Sequence, residues 1–282
     1  MRCMPATPSP LSSAPTLVVG ATGKTGRRVA AELERRGVPV RRASRPAFDW
    51  EDRATWAAAL RGTRAAYVAF VPDLAVPGAD DAVGVFAALA AQAGLERLVL
   101  LSGRGEHAAQ RAEEAVRAAG VPTTVVRSSW FMQNFGESFL LEAVHDGTIA
   151  LPVDAAIAEP FVDAVDIAAI AVAALTEDGH AGALYEVTGP RLLTFADAVA
   201  EIARATGRDL AYVPVPMAAY AQEAAAQGVP DEVIGLLSYL FSEVLDGRNA
   251  RLTDGVQRAL GRPPRDFAGY VADTAAAGVW DV

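Results

Sequence analysis

Glycines 20, 23 and 26 stand in the run Leu17-Val18-Val19-Gly20-Ala21-Thr22-Gly23-Lys24-Thr25-Gly26, spaced G-x-x-G-x-x-G directly after an apolar stretch. Each place asks for glycine for a different reason: Gly20 for a tight turn out of a strand, Gly23 so that a pyrophosphate can approach the backbone, Gly26 so that the next helix can pack closely on a sheet. The phosphates would sit on the free N–H groups opening that helix, at the turn formed by Thr22, Lys24 and Thr25, where the helix dipole favours negative charge. Three glycines alone are also what an ordinary strand-turn-helix connection can contain. Context favours a dinucleotide site: residues 27–36 read as an amphipathic helix closed by Gly37, and residues 38–43 as a second strand.

The end of that second strand bears on which dinucleotide. An acidic residue there would bind ribose hydroxyls, whereas arginine accommodates the extra phosphate of NADP. The sequence reads Arg41-Arg42-Ala43-Ser44-Arg45 with no carboxylate before Asp49, which favours NADP(H). Because strand residues alternate faces, Arg41 and Arg42 cannot both face the ligand, and Arg45 is the best placed for a bidentate grip on a 2′-phosphate. The other use of these arginines is a solvated edge.

Further groups with chemical potential lie where later strands end. Strands are expected at 65–71, 97–101 and 123–127, with a very short one at 47–49, alternating with helices as in parallel βαβ units. Ligands bind beyond the carboxyl ends of such strands, so Phe70-Val71-Pro72, Ser102-Gly103 and residues 128–131 should converge with the glycine turn on one crevice. Ser102 could hydrogen-bond a substrate carbonyl or a nicotinamide amide, or serve as a turn residue. His107 has the intrinsic acidity for proton transfer, or is a solvated loop residue. Trp130, Phe131 and Phe161 would make an aromatic wall for a flat substrate, or core. Asp163 and Asp166 could pair as acid and base, but the apolar helical run after them favours capping.

Composition sets outer limits. The chain has 282 residues, 52% of them hydrophobic and 21% charged, enough for a sizeable core. A net charge of -9 argues against a nucleic-acid surface, which needs concentrated Lys and Arg. Cys3 is the single cysteine, so no disulfide within the chain and no cysteine-built metal site is expected, and a reducing cytoplasm is the expected home. Residues 1–15, rich in Pro, Ser and Ala, read as a flexible tail without the apolar core of a signal peptide. No apolar run is long enough to span a bilayer.

The expected architecture is α/β: a Rossmann-type doubly wound parallel sheet over residues 16–155, followed by mixed segments over 156–282 that complete the sheet and form a smaller C-terminal lobe covering the substrate. Helices are expected at 54–60, 82–93, 164–175 and 194–206, a short strand at 210–214, and helix again over 217–245 with a break at Gly228-Val229-Pro230-Asp231.

Several separate motifs in this order resemble the NmrA-like branch of the atypical short-chain dehydrogenases/reductases. That branch also holds NADPH-dependent quinone reductases, azoreductase-like proteins and redox-sensing regulators. The resemblance rests on the run from Gly20 to Gly26, on residues 119–127 followed by Trp130-Phe131-Met132-Gln133-Asn134-Phe135, and on Phe161-Val162-Asp163-Ala164-Val165-Asp166-Ile167-Ala168. Tyr185-Glu186-Val187-Thr188-Gly189-Pro190 and Leu245-Asp246-Gly247-Arg248-Asn249-Ala250 extend it over nearly the whole chain. By this resemblance Arg45 takes the 2′-phosphate and Asp49-Trp50 flank the adenine. Phe70-Val71-Pro72 border the ribose and nicotinamide, Ser128 to Phe131 approach the nicotinamide, and Asn134 joins Trp130, Phe131 and Phe161 on the substrate side.

One departure matters for the chemistry. Carbonyl-reducing members of the superfamily use Tyr as proton donor with Lys lowering its pKa, in a Y-x-x-x-K turn that places both on one helical face. The corresponding helix here reads Glu106-His107-Ala108-Ala109-Gln110-Arg111, with neither residue, and Ala109 stands where many members keep lysine. A quinone-like acceptor stabilises its own anion and can be protonated by solvent, so hydride transfer survives this loss. The expectation is therefore an NADPH-dependent oxidoreductase for a small, aromatic or quinone-like molecule, monomeric or homodimeric. The alternatives are a non-catalytic NADP(H) sensor and a ketoreductase, isomerase or cyclase of secondary metabolism on the same scaffold.

Overall fold

The structure is a computed structural model describing residues 14–282; all of the segment 1–15 except its last two residues, Cys3 included, lies outside the described residues. The first half alternates strand and helix without interruption: β1 (Thr16–Val19), α1 (Lys24–Arg35), β2 (Val40–Ala43), α2 (Ala54–Leu60), β3 (Ala65–Val68), α3 (Ala79–Gln92), β4 (Arg97–Gly103), α4 (His107–Ala118) and β5 (Thr123–Ser128). A 3-10 turn (Met132–Phe135), α5 (Leu140–Asp146), β6 (Thr148–Leu151), β7 (Ala158–Glu159), α6 (Ala164–Thr176) and β8 (Leu184–Val187) follow. The remainder comprises β9 (Leu193–Thr194), α7 (Phe195–Thr206), β10 (Ala211–Pro214), α8 (Met217–Ala226), α9 (Asp231–Tyr239), a π-helical turn (Leu240–Val244), α10 (Gly255–Leu260) and α11 (Phe267–Ala276).

Six strands form one parallel sheet in the order β2-β1-β3-β4-β5-β8. Strand order reverses between β1 and β3, and ligands of open α/β sheets bind at that crevice. The central strands β1 and β3 are buried on both faces, as strands covered by helices on both sides must be. Alternation sorts the side chains. Ala66, Val68, Leu98 and Leu100 join Trp56, Val83, Phe86 and Val116 under α2, α3 and α4, while Tyr67, Val99 and Val126 join Val29, Leu33, Ile167 and Ile170 under α1 and α6. Helix α6 is apolar nearly all round because it is enclosed by the sheet, α1 and α10.

A separate core holds the second half of the cleft's walls together. Phe135, Phe161, Phe195 and Phe267 meet in edge-on and tilted ring contacts between α5, α7 and α11, and Trp280 joins them by packing on Tyr270 and donating its indole N–H to the Phe135 carbonyl. This core draws on both sides of residue 155, from Met132 to Val153 and again from Phe161 to Trp280, while α6, β8 and α10 return to the main sheet. Two small sheets brace it, β6 parallel to β10 and β7 antiparallel to β9. Thr194 and Asp197 cap α7 reciprocally, each satisfying the other's backbone N–H.

Two local expectations are corrected. Residues 47–49 form no strand: Phe48 is buried in an aromatic cluster with Trp50, Trp56 and Phe86, and the Asp49 carbonyl accepts the Trp56 indole N–H at 2.8 Å instead of a strand partner. The third strand of the sheet is therefore β3, and it ends at Val68, three residues before the expected limit.

Candidate active site

Beyond the carboxyl ends of β1, β3, β4 and β5 lies one cleft of about 550 Å³, closed on its far side by α9 and the π-helical turn. Its first end is backbone. Gly20 turns the chain out of β1 at φ +74°, and Gly23 is the N-cap of α1 with no side chain satisfying the helix start. The first-turn amides of α1 therefore have no capping side chain, and Gly23, Lys24 and Thr25 line the cleft there. A Cβ on Gly26 would be driven into the Gly20 carbonyl, so α1 can sit this close to the turn only with glycine there. A Cβ on Gly23 meets only the Gly20 oxygen, at 3.3 Å, so the fold itself makes a milder demand at that position.

Lys24, the only lysine in the sequence, lines this end, and burial lowers its pKa against the opposing pull of Glu137. Glu137 also pairs with Arg27 and, at 2.5 Å, with Arg28. Thr25 is buried and accepts the Tyr67 hydroxyl at 2.8 Å, fixing the turn to β3. Of the three arginines at the end of β2, two are committed elsewhere: Arg41 donates to the carbonyls of Ala59 and Arg61, and Arg42 pairs with Glu34 at 2.8 Å. Arg45 is exposed and makes no hydrogen bond or ion pair among the described residues. Trp50 is half-buried against Phe70, at 4.7 Å between ring centres, and the Asp49 carboxylate accepts the Glu51 backbone N–H. Arg45, Asp49, Trp50 and Gly26 stand outside the lining of the cleft, whereas Phe70, Val71 and Pro72 belong to it.

The far end is made of side chains. Ser102 is buried, and its hydroxyl donates to Glu113 at 2.6 Å. Glu113 in turn receives two hydrogen bonds from Arg127, at 2.8 and 2.6 Å, so the Ser102 proton is held in a buried network. Ser128 donates to the Ser102 carbonyl at 3.3 Å. Trp130, Phe131 and Asn134 line the cleft with Leu236, Leu237 and Leu240. The Trp130 ring packs on Phe195 and Phe241, and its indole N–H is buried without a partner.

Two other expectations resolve otherwise, and the expected capping is found at Asp163. Phe161, two residues past β7, is only 1% exposed and belongs to the aromatic core, packed against Phe135 and Phe195. His107 is exposed as the first residue of α4, outside the cleft lining; the chain enters that helix with Glu106 turned inward and His107 outward. Asp163 caps α6 through the Val165 N–H and also binds Gln133 and Arg265, while Asp166 binds Arg262 and the Arg265 N–H. Both aspartates are structural.

Carboxyls that sequence reasoning passed over do line the cleft. Glu106 and Asp73 are hydrogen-bonding neighbours; burial, then the Asp73 charge, pushes Glu106 up to about 9, and burial raises Asp73 as well. Two touching carboxyls cannot both ionise, so at neutral pH the pair holds a proton. Gly103 lets Glu106 lie against the backbone, in space that a Cβ would fill. Glu159, at the end of β7, accepts the backbone N–H of Trp130 at 3.4 Å and is pushed up to about 7 by burial. Its one sequence signal is a lone carboxylate inside the run Ile157-Ala158-Glu159-Pro160-Phe161-Val162.

Residues 108–256 match the model of the NmrA-like family. The chain belongs to that family. A (4-alkanoyl-5-oxo-2,5-dihydrofuran-3-yl)methyl phosphate reductase of Streptomyces griseus subsp. griseus is 35% identical over 286 residues, covering 93% of this chain and 98% of the relative. An NAD(P)H azoreductase of Xenophilus azovorans is 29% identical over 289 residues, with 93% and 98% covered. Among solved structures, an Escherichia coli NADPH-dependent quinone oxidoreductase complexed with NADPH superposes with a TM-score of 0.72 at 20% identity, covering 92% of this chain and 99% of that one. This NmrA-like protein shares that Rossmann-type α/β fold. Among the described residues, no helix is long and apolar enough to cross a membrane.

Proposed function

We propose that this protein carries hydride from NADPH to a small aromatic acceptor, a quinone or an azo compound, held between the glycine turn and α9. Its family and relatives make it an NAD(P)H-dependent oxidoreductase that works with NADP(H). The observation that carries the proposal is the continuity of the cleft: Gly20, Thr22, Gly23, Lys24 and Thr25 line one end, and Trp130, Phe131 and the leucines of the covering lobe line the other.

The residues present fit the dinucleotide. The uncapped start of α1 and the charge of Lys24 suit a pyrophosphate, and a phosphate beside Lys24 would offset the burial that lowers its pKa. Arg45, without a partner among the described residues, would take the 2′-phosphate. Asp49 and Trp50 would border the adenine, Phe70, Val71 and Pro72 the ribose, and Ser102 and Ser128 the nicotinamide side. The reduced nicotinamide, when bound, supplies the hydride. The protein orients the acceptor against Trp130 and Phe131, with Asn134 beside them, and excludes water with Leu236, Leu237 and Leu240. No Tyr-Lys relay takes part.

The test is to titrate NADPH calorimetrically and then follow its absorbance with a panel of quinones, azo dyes and ketones. Consumption with the first two is the expected result. Binding without consumption of NADPH across the panel would instead mark a sensor.

A further inference from the structure

We propose that Glu159 is the residue that hands a proton to the acceptor as it is reduced in this cleft. The inference rests on the hydride-transfer reading above and names the group that stands in for the missing tyrosine.

Geometry limits the choice. Glu159 lines the cleft, is only 1% exposed, and accepts the backbone N–H of Trp130, a residue that lines the same cavity. The groups facing it come from two other elements: Arg104, from the loop after β4, and Ser129 with the Trp130 N–H, from the segment after β5. Arg104 is itself tied down, donating to Ser129 at 2.7 Å and to the Asn249 carbonyl at 3.3 Å, with Glu186 3.9 Å from its Nε. It tempers the effect of burial on Glu159 without neutralising the carboxyl as a tight ion pair would.

Acidity narrows the choice further. A donor works best when its pKa lies near the working pH, and Glu159 is held at about 7. Glu106, pushed up to about 9 beside Asp73, keeps its proton too firmly, and the Ser102 proton is engaged by Glu113. His107 does not line the cleft.

The step balances simply. Hydride adds to one atom of the acceptor's double bond, the π pair moves to the other, and that atom takes the proton from the Glu159 carboxyl as its O–H bond breaks. The two electrons come from the reduced nicotinamide, and the Glu159 carboxylate regains its proton from water.

The test compares two acceptors: an azo compound, whose reduced anion needs a proton, and a carbocationic triaryl dye, which hydride alone neutralises. In Glu159→Gln the ratio of azo to dye turnover should fall by about 10²–10⁴-fold, the range of general-acid contributions. Wild-type azo turnover should also decline as pH rises through about 7, and the variant should lose that decline. Independently of turnover, infrared difference spectra of the ligand-free protein should show a protonated-carboxyl C=O band that titrates near pH 7 and is missing in Glu159→Gln. An unchanged acceptor ratio, or a wild-type spectrum without that band, overturns the proposal. A wild type that consumes NADPH with neither acceptor nor a quinone overturns the hydride-transfer reading instead.

Discussion

The two ends of the cleft are built from different materials. At the glycine end, the lining comes chiefly from one contiguous turn, held by β1, α1 and a hydroxyl contact between Tyr67 and Thr25. At the acceptor end they are side chains from β4, the segment after β5, β7 and α9, brought together only by the fold. Backbone geometry recognises what all dinucleotides share, a pyrophosphate, whereas side chains on separate elements set which partner reacts and how protons move.

The sharpest way to break this contrast is to remove a support of the acceptor end. Glu113→Ala leaves Arg127 and Ser102 without their buried acceptor, and should cost about 3–5 kcal/mol of stability in denaturant unfolding. A loss under about 1 kcal/mol would show that the network does not hold this end together. The glycine end should fail differently. Gly23→Ala should keep its circular dichroism and thermal transition while NADPH affinity falls on the order of 100-fold, about 2.7 kcal/mol, because the demand at Gly23 comes mainly from the ligand. Amine labelling read out at the peptide carrying Lys24, the single lysine, offers a second check: NADPH should shield it in the wild type and much less in the variant.

Smaller effects sharpen the picture. Arg45→Ala should remove about 1–3 kcal/mol of the preference for NADPH over NADH. Equal calorimetric affinities for the two nucleotides in the wild type would refute the role given to Arg45. His107→Ala should leave turnover within a few-fold of wild type, as its place outside the cleft lining requires. A loss of 10²-fold or more would return proton transfer to that residue.

The same contrast explains what was legible in the sequence. The glycine turn could be read because its chemistry is local, with strand, turn and helix adjacent in the chain. The alternation of β1 to β5 was legible because buried parallel strands are apolar runs punctuated by helices. At β8 the signal was weaker: Leu184 to Val187 is four residues long and becomes a strand by pairing with β5. Residues 47–49 failed the other way, since one buried side chain, Phe48, makes a short apolar segment look like a strand. The carboxyls were hidden altogether. Beyond its apolar neighbours, nothing along the chain separates Glu159 from a surface glutamate, because its acidity is set by burial and then by Trp130 and Arg104. His107 and Glu106 are neighbours in sequence, and only the way the chain enters α4 decides which one lines the cleft.

Helices α8 and α9 contain no fully buried residue, although α9 supplies Leu236 and Leu237 to the cleft wall. Replacing a half-buried leucine there forfeits little of the packing that core positions such as Phe161 supply. Variation in this stretch can therefore change the width and shape of the opening at small cost to folding. Selection is thus free to redirect the protein to new acceptors through 230–240 while the sheet, the glycine turn and the aromatic core stay as they are.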